Sequence, residues 1–297
     1  MCIRDSKLAV GLVGVNGILI DKEIVYDHTS KNEEEVIKEI SLLVKQLINR
    51  NKINENKLLG IGIGFPGHIR YKEGITIKSS NLKGFKNYPL KKSLQRYFSI
   101  PVLTDNDANA QAFAEYKYGA GKGYNSIIFV TISSGVGAGI IINGKIYHGI
   151  TGTAGEFGHM IVNPYGTIQC GCGNYGCLWT YVSGIALGKI FKKHLLNGDK
   201  TLLPIDSLTP SYKINGKLIK KGLEINDSLT KKIINESAWY MGIGLYNLFQ
   251  IFNPPVIILG GGLVNLGQYY LDLIKHHFYR LAKDMLFDKI EIKKSQL

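Results

Sequence analysis

The sequence predicts an α/β fold with a mostly buried sheet. Short apolar runs of strand length alternate along the chain with segments whose apolar residues recur at helical spacing. The runs at 127–132 and 256–259 are continuously apolar, as in strands covered on both faces. Because 297 residues are more naturally two hydrophobic cores than one, we expect two domains, with the second beginning near Gly119.

In the first half, turn and cap residues mark the element boundaries. Asn16-Gly17 separates two apolar segments, as a hairpin turn would. Asn32 precedes a segment of helical periodicity whose first turn is acidic, and this is the usual start of a helix. Pro66-Gly67 ends the next apolar run. These signals predict strands at 7–13, 18–26, 58–65 and 102–103, and helices at 32–50, 91–98 and 108–118.

The second half repeats the opening of the first. Asn143-Gly144 again lies between two predicted strands, which favours a duplicated α/β unit. Pro254-Pro255 ends a long helix that contains the small residues Gly242 and Gly244. The predicted strands are 127–132, 136–142, 145–148, 256–259 and 289–293, and the predicted helices are 181–196, 229–252 and 268–281, with an irregular stretch at 203–226.

The composition argues against two classes of protein. The net charge of +13 comes from lysines spread along the chain as pairs, which indicates a solvated surface rather than a nucleic-acid site, although an attraction for phosphorylated ligands stays open. No apolar run approaches the roughly 18 residues of a membrane span, and the N-terminus has no secretory signal pattern. We therefore expect a cytoplasmic protein without membrane or nucleic-acid partners.

A cysteine cluster predicts a metal site. Three of the four cysteines, Cys170, Cys172 and Cys177, fall within eight residues, and His159 lies eleven positions before the first of them. Three thiolates and one imidazole fill a tetrahedral zinc site, which is then structural because no position is left open. The spacing gives no framework of disulfide pairs. The zinc would hold a loop that includes Glu156.

Two further patterns each leave two interpretations open. The polar run Asp105-Asn106-Asp107 lies between a short strand and a helix, where it either caps the helix or supplies a general base for a substrate hydroxyl. The glycine-rich segments 133–139 and 260–262 follow buried strands, where they either bind phosphate and adenine or simply form turns.

Taken together, the motifs resemble the ROK family of bacterial sugar kinases and repressors, within the actin-like ATPase superfamily. The most specific match is the pair Gly-Glu-Phe-Gly-His, ending at His159, and Cys-Gly-Cys-Gly-Asn-Tyr-Gly-Cys, ending at Cys177. The resemblance implies two actin-like (ribonuclease H-like) domains with a cleft between them, here at 1–118 and 119–297. The other matching stretches are 62–67, 80–85, 106–110, 134–140 and 253–263.

The resemblance also implies the roles of individual residues. Asp107 would be the general base. The protein would bind a hexose or N-acylhexosamine, ATP and Mg²⁺. It would also bind a structural Zn²⁺ through His159, Cys170, Cys172 and Cys177. The sugar would contact Asn81, Asn106, Asp107, Glu156 and His159, and the nucleotide would contact Ser134, Gly135, Gly261 and Gly262.

Three departures from the family pattern qualify these roles. The family opens with an Asp-x-Gly-Gly-Thr phosphate loop, whereas residues 1–6 read Met-Cys-Ile-Arg-Asp-Ser, so we expect a truncated first strand and weak turnover. The family ends in a helix that would follow Leu297, so the last helix is also expected to be missing. Trp179 stands where the family usually has a second sugar-binding glutamate.

The expected activity is ATP-dependent phosphorylation of a hexose hydroxyl, as in glucokinases. The alternatives within the family are an N-acetylhexosamine kinase (for N-acetylmannosamine or N-acetylglucosamine) and a fructokinase. A sugar-binding, non-catalytic regulator is the alternative from another class. Family members are commonly dimers or tetramers, which implies a homodimer or homotetramer here.

Overall fold

The computed structural model describes residues 2–3, 7–26, 31–79, 82, 84–283 and 290–297, which form two compact units. The first unit comprises Met1–Gly123, Gly139–Ala154 and Leu297, and the second comprises Tyr124–Ala138 and Gly155–Gln296. The predicted domain limits, 1–118 and 119–297, stay a prediction. The predicted loss of a phosphate loop concerns residues 1–6, of which only 2–3 are among the described residues, so it stays a prediction.

The first sheet has five strands in the order β3-β2-β1-β4-β7. Strand β2 is antiparallel to both β1 and β3, whereas β4 is parallel to both β1 and β7. A separate hairpin of β5 and β6 was not predicted from the sequence. The strands are β1 (Cys2–Ile3), β2 (Leu8–Val13), β3 (Leu19–Val25), β4 (Ile61–Phe65), β5 (His68–Arg70), β6 (Ile75–Lys78) and β7 (Val102–Asn106).

The second sheet repeats this order as β10-β9-β8-β11-β12. Its strands are β8 (Ile127–Ile132), β9 (Val136–Ile142), β10 (Lys145–Ile146), β11 (Val256–Gly260) and β12 (Glu291–Lys294). Strand β11 is parallel to β8 and β12, as β4 is to its neighbours. Asn16-Gly17 and Asn143-Gly144 connect equivalent strand pairs in the two sheets, so the predicted duplication is confirmed.

Eight α-helices occur in the described ranges. They are α1 (Glu33–Arg50), α2 (Leu90–Gln95), α3 (Asp107–Tyr118), α4 (Trp179–Val182), α5 (Gly184–Leu196), α6 (Gly216–Glu224), α7 (Ser228–Phe252) and α8 (Gln268–Ala282). In α1, Asn32 and Glu35 form a reciprocal capping box, which confirms the predicted start. Within these helices there is no stretch long and apolar enough to cross a bilayer.

Two predicted elements were wrong. The segment 181–196 is not one helix, because Ser183 is extended (φ −71°, ψ 151°) and its hydroxyl accepts the Ala186 N–H to begin a new helix, α5. The segment 203–226 is not wholly irregular, because Asn215 caps the short amphipathic helix α6 there. In both cases a single side-chain cap sets the boundary.

Glycines allow close packing around the elements that carry the predicted site residues. A Cβ on Gly139 of β9 would lie 2.6 Å from the Ala108 carbonyl oxygen, so this glycine lets α3 pack closely on the strand. A Cβ on Gly244 of α7 would lie 2.8 Å from the buried Phe157 ring. Gly244 therefore lets α7 pack against the loop between Glu156 and Cys177.

Candidate functional site

Asn106 ends β7 and caps helix α3. Its side-chain oxygen accepts the backbone N–H groups of Ala108 (2.8 Å) and Asn109 (3.3 Å). Its side-chain nitrogen donates to the Gly67 carbonyl at 3.1 Å, in the turn after β4. The capping interpretation is thus confirmed for Asn106. Its NH₂ group retains a second hydrogen for a ligand.

Asp107 is the first residue of α3, and its side chain is partly exposed. Gly64 in β4 makes room for it, because a Cβ there would lie 3.3 Å from the Asp107 Cα. The Asp107 carbonyl accepts from the Gln111 side chain at 2.9 Å, one turn later. A carboxylate at this position can reach a ligand beyond the carboxyl end of β7, where ligands of α/β sheets bind.

Asp105 has a different role from Asp107. Its Oδ1 accepts the backbone N–H of Asn106 at 2.7 Å and the side-chain N–H of Asn109 at 2.9 Å. Its Oδ2 lies 2.8 Å from His148 Nε2. These contacts occupy both oxygens, so Asp105 is part of the framework. Sequence reasoning did not find His148, because no local pattern links residues 43 positions apart.

The predicted metal ligands come together in the second unit. The four donor atoms of His159, Cys170, Cys172 and Cys177 all lie within 4.8 Å of one another. His159 Nδ1 is 3.4 Å from the Cys170 sulfur, and the Cys172 and Cys177 sulfurs are 3.6 Å apart. Tetrahedral zinc with thiolates at about 2.3 Å requires sulfur–sulfur distances of about 3.7 Å, so the set fits zinc.

Burial opposes the ionisation of the three thiols. Burial raises the pKa of Cys177 to about 12 and raises that of Cys170 as well. Burial acts in the same direction on Cys172, but hydrogen bonds, led by one from the Asn174 backbone, lower its pKa. A divalent cation would favour the thiolate form of all three.

Glu156 lies beside the cluster of His159 and the three cysteines. The Glu156 carboxylate oxygen Oε2 is 3.8 Å from His159 Nε2, on the opposite side of the ring from Nδ1, which faces the cysteines. Both side chains are about two-fifths exposed, at 38% and 40%. A metal on Nδ1 with a carboxylate towards Nε2 is a frequent arrangement. The predicted loop can therefore present Glu156 to a ligand while it remains anchored.

The two glycine-rich turns are neighbours in the second unit. Gly261 has φ +90°, and a Cβ there would lie 2.4 Å from the Ile132 carbonyl, so only glycine fits. Ile132 directly precedes the turn that contains Ser134 and Gly135. Gly262 is exposed, and a Cβ there would meet no atom within 4 Å. The fold requires Gly261, whereas Gly262 leaves an open backbone surface.

Helix α5 begins against the first of these turns. The Gly184 backbone N–H donates to the Ser133 carbonyl at 2.7 Å. A Cβ on Gly184 would lie 3.8 Å from the Ser134 Cα. The positive end of a 13-residue helix therefore lies beside Ser134, which favours an anion there.

Comparison with known proteins shows which family this chain belongs to. A profile of the ROK family matches residues 6–297. The chain belongs to the ROK family. It is 34% identical over 255 residues to a glucokinase of Halalkalibacterium halodurans, covering 84% of this chain and 75% of the relative. A xylose repressor of Bacillus subtilis is 32% identical over 294 residues, covering 97% of this chain and 72% of the relative.

A solved ROK structure matches the whole fold. The ROK family glucokinase from Streptomyces griseus, in complex with glucose and AMPPNP, is 30% identical with a TM-score of 0.83. The match covers 100% of this chain and 93% of that one. The predicted fold class, with two actin-like domains, is confirmed by this likeness.

Asn81 and Trp179 are two further positions of the ROK pattern. Asn81 lies outside the described residues. Trp179 begins α4 and is partly exposed, and its indole Nε1 would lie 3.9 Å from a Cβ on Gly135. The side chain that replaces the family's glutamate is thus close to the Ser134–Gly135 turn. An indole has a donor and no acceptor, so it cannot replace a carboxylate in binding sugar hydroxyls.

Proposed function

We propose that this ROK protein transfers the γ-phosphoryl group of ATP to a hexose hydroxyl, as a glucokinase does. The observation that carries this proposal is the geometry of the β7–α3 junction, where Asp107 begins helix α3 beyond the carboxyl end of β7 and the neighbouring Asp105 and Asn106 hold the helix start. The glucokinase relatives supply the substrate class.

In this proposal Asp107 is the general base. It accepts the proton of the attacking hydroxyl as the oxygen approaches the γ-phosphorus. Asn106, with its remaining amide N–H, orients the sugar, together with Asn81, Glu156 and His159. These residues act by positioning and electrostatics, which dominate phosphoryl transfer.

We assign the nucleotide to the two neighbouring turns of the second unit. Ser134 and Gly135 contact the phosphates, which the start of α5 also favours, and Gly261 and Gly262 contact the adenosine. Mg²⁺ bound with ATP would neutralise the phosphate charge. Zn²⁺ on His159, Cys170, Cys172 and Cys177 would hold the Glu156 loop in place. We also propose a homodimer or homotetramer in the cytoplasm.

A coupled ADP-release assay tests the activity over glucose, fructose, N-acetylmannosamine and N-acetylglucosamine. We expect sugar-dependent ADP release, strongest with glucose. Asp107→Asn should lower kcat by about 10³-fold, because proton transfer to a positioned base contributes about 10²–10⁴-fold.

Asp272→Asn is the matched control, because Asp272 is an exposed helix carboxylate that accepts from Gln268 at 2.7 Å. It should retain wild-type kcat. If no sugar stimulates ADP release, or if both variants retain full activity, the kinase proposal is wrong.

A non-catalytic sugar-binding regulator is the second candidate. The likeness to the xylose repressor and the presence of Trp179 favour it. Titration calorimetry with sugar and with ATP separates the two candidates. Binding of sugar without binding of nucleotide would support the regulator, whereas binding of both with turnover would support the kinase.

A further inference from the structure

His148 and Asp105 form a histidine–aspartate pair next to the proposed base, Asp107. His148 Nε2 is 2.8 Å from Asp105 Oδ2, and the two side chains are 14% and 20% exposed. His148 follows β10, whereas Asp105 lies in β7, so the pair joins two distant parts of the first unit. The function proposed above assigns neither residue a role.

Asp105 connects His148 to the start of α3, because its two oxygens bind on the two sides. Its other oxygen holds the Asn106 backbone N–H and the Asn109 side chain. The side-chain oxygen of Asn109 is buried and has no hydrogen-bond partner among the described residues. The hydrogen bond to Asp105 therefore sets the orientation of the Asn109 amide. Asp107 is the residue between these two contacts.

His148 is itself held on two sides. Its ring stacks on Tyr71, with centroids 3.6 Å apart and planes within 6° of parallel. Its backbone carbonyl accepts the Ala154 N–H at 3.1 Å, which closes the loop that follows. The backbone contact fixes where the residue begins, and the stack on Tyr71 restricts rotation of the ring, so that Nε2 stays directed at Asp105.

We propose that His148 is a positioning residue for phosphoryl transfer. It fixes the Asp105 carboxylate, and Asp105 fixes the Asn106–Asn109 turn, so that Asp107 points at the substrate hydroxyl. This inference rests on the proposed kinase function for its kinetic consequence. Its structural part, the ordering of the turn by His148, does not depend on that function.

The kinetic test uses one disruptive and one donor-preserving substitution. His148→Ala removes the donor and should lower kcat about 30- to 100-fold, since a misplacement of about 1 Å can cost 10²-fold. The KM for ATP should change less than threefold. His148→Gln places an amide N–H near the position of Nε2 and should restore kcat to within about fivefold of wild type.

A matched control exists in the second unit. His194 Nδ1 pairs with Asp199 Oδ2 at 2.5 Å near the end of α5, so it repeats the histidine–aspartate chemistry without contacting the β7–α3 junction through any hydrogen bond of the pair. His194→Ala should leave kcat unchanged. All variants are compared by thermal melting, and we expect His148→Ala to melt within a few degrees of wild type.

Hydrogen exchange supplies a readout that does not require activity. In His148→Ala the amides of residues 106–109 should exchange at least tenfold faster than in wild type, and in His148→Gln they should not. If wild type has no kinase activity, the proposed function fails and the exchange result alone decides the inference. Wild-type kcat or wild-type exchange in His148→Ala overturns it, as does equal impairment of the Ala and Gln variants.

Discussion

The β7–α3 junction and the cysteine cluster are organised in opposite ways. At the junction, Asp105 and Asn106 have hydrogen-bond partners within the protein, so the site residues are held without any added group. In the cluster, four donor atoms converge while burial raises the pKa of Cys170 and Cys177. The first region is preorganised by hydrogen bonds, whereas the second region has the donor set of a zinc site, which we propose is filled by a cation.

Removal of the cation should have the largest effect in this comparison. We expect Cys177→Ala, or treatment with a strong chelator, to lower kcat/KM for the sugar about 100-fold, because the Glu156 loop loses its anchor. The free energy of unfolding should fall by about 3 kcal/mol. Elemental analysis and denaturant unfolding are the measurements.

The chelator should have no further effect on Cys177→Ala. One zinc per chain is expected for wild type. A fully active, zinc-free wild-type protein would contradict the assignment of the cluster as a metal site.

Substitution of Asp227 tests whether hydrogen bonds alone can stabilise a buried carboxylate in the second unit. It caps α7 and accepts from Thr230 N (2.8 Å), Thr230 Oγ1 (2.6 Å) and Leu202 N (2.7 Å). Asp227→Asn should lower the free energy of unfolding by about 2 kcal/mol at pH 7. Asp206 makes the same kind of turn at the surface, so Asp206→Asn should cost less than about 0.5 kcal/mol.

The lowered pKa of Asp227 predicts that the free energy of unfolding depends on pH. Burial acts to raise the pKa of Asp227, but the hydrogen bonds from Thr230 and Leu202 outweigh burial and hold the pKa below its ordinary value. A lowered folded pKa contributes stability that is complete above the unfolded pKa of about 3.9 and is lost as pH falls through the folded value. Asp227→Asn should therefore show a shallower loss of stability below about pH 4. An unchanged acid profile would contradict the assigned contacts.

Trp179 gives the smallest expected effect. Trp179→Glu should lower the KM for the sugar about tenfold, because a carboxylate accepts hydroxyl hydrogen bonds that an indole cannot. The neutral variant Trp179→Gln is the control and should improve sugar binding less. Steady-state kinetics over the sugar panel measures both. Equal KM values for all three proteins would show that residue 179 does not contact the sugar.

Sequence patterns were sufficient where the physical cause is local. Asn32 and Glu35 cap α1 because their side chains reach backbone groups three residues away. The three cysteine sulfurs come together because these residues lie within eight positions of one another in the sequence. The same locality explains the failures, since the break at Ser183 and the helix after Asn215 each depend on one capping side chain that a periodicity pattern does not distinguish.

The sequence by itself determined the α/β class, the duplicated unit, the ROK resemblance and the donor types in the cysteine–histidine cluster. Tertiary structure decided how the two carboxylates of the β7–α3 junction differ: both oxygens of Asp105 are held by neighbours within the first unit, whereas we propose Asp107 as the general base. That distinction depends on His148, which is 43 residues from Asp105 in sequence but 2.8 Å from it in space. Neighbouring residues share their local geometry, whereas a side-chain partner that is distant in sequence is set by how the elements of the unit assemble.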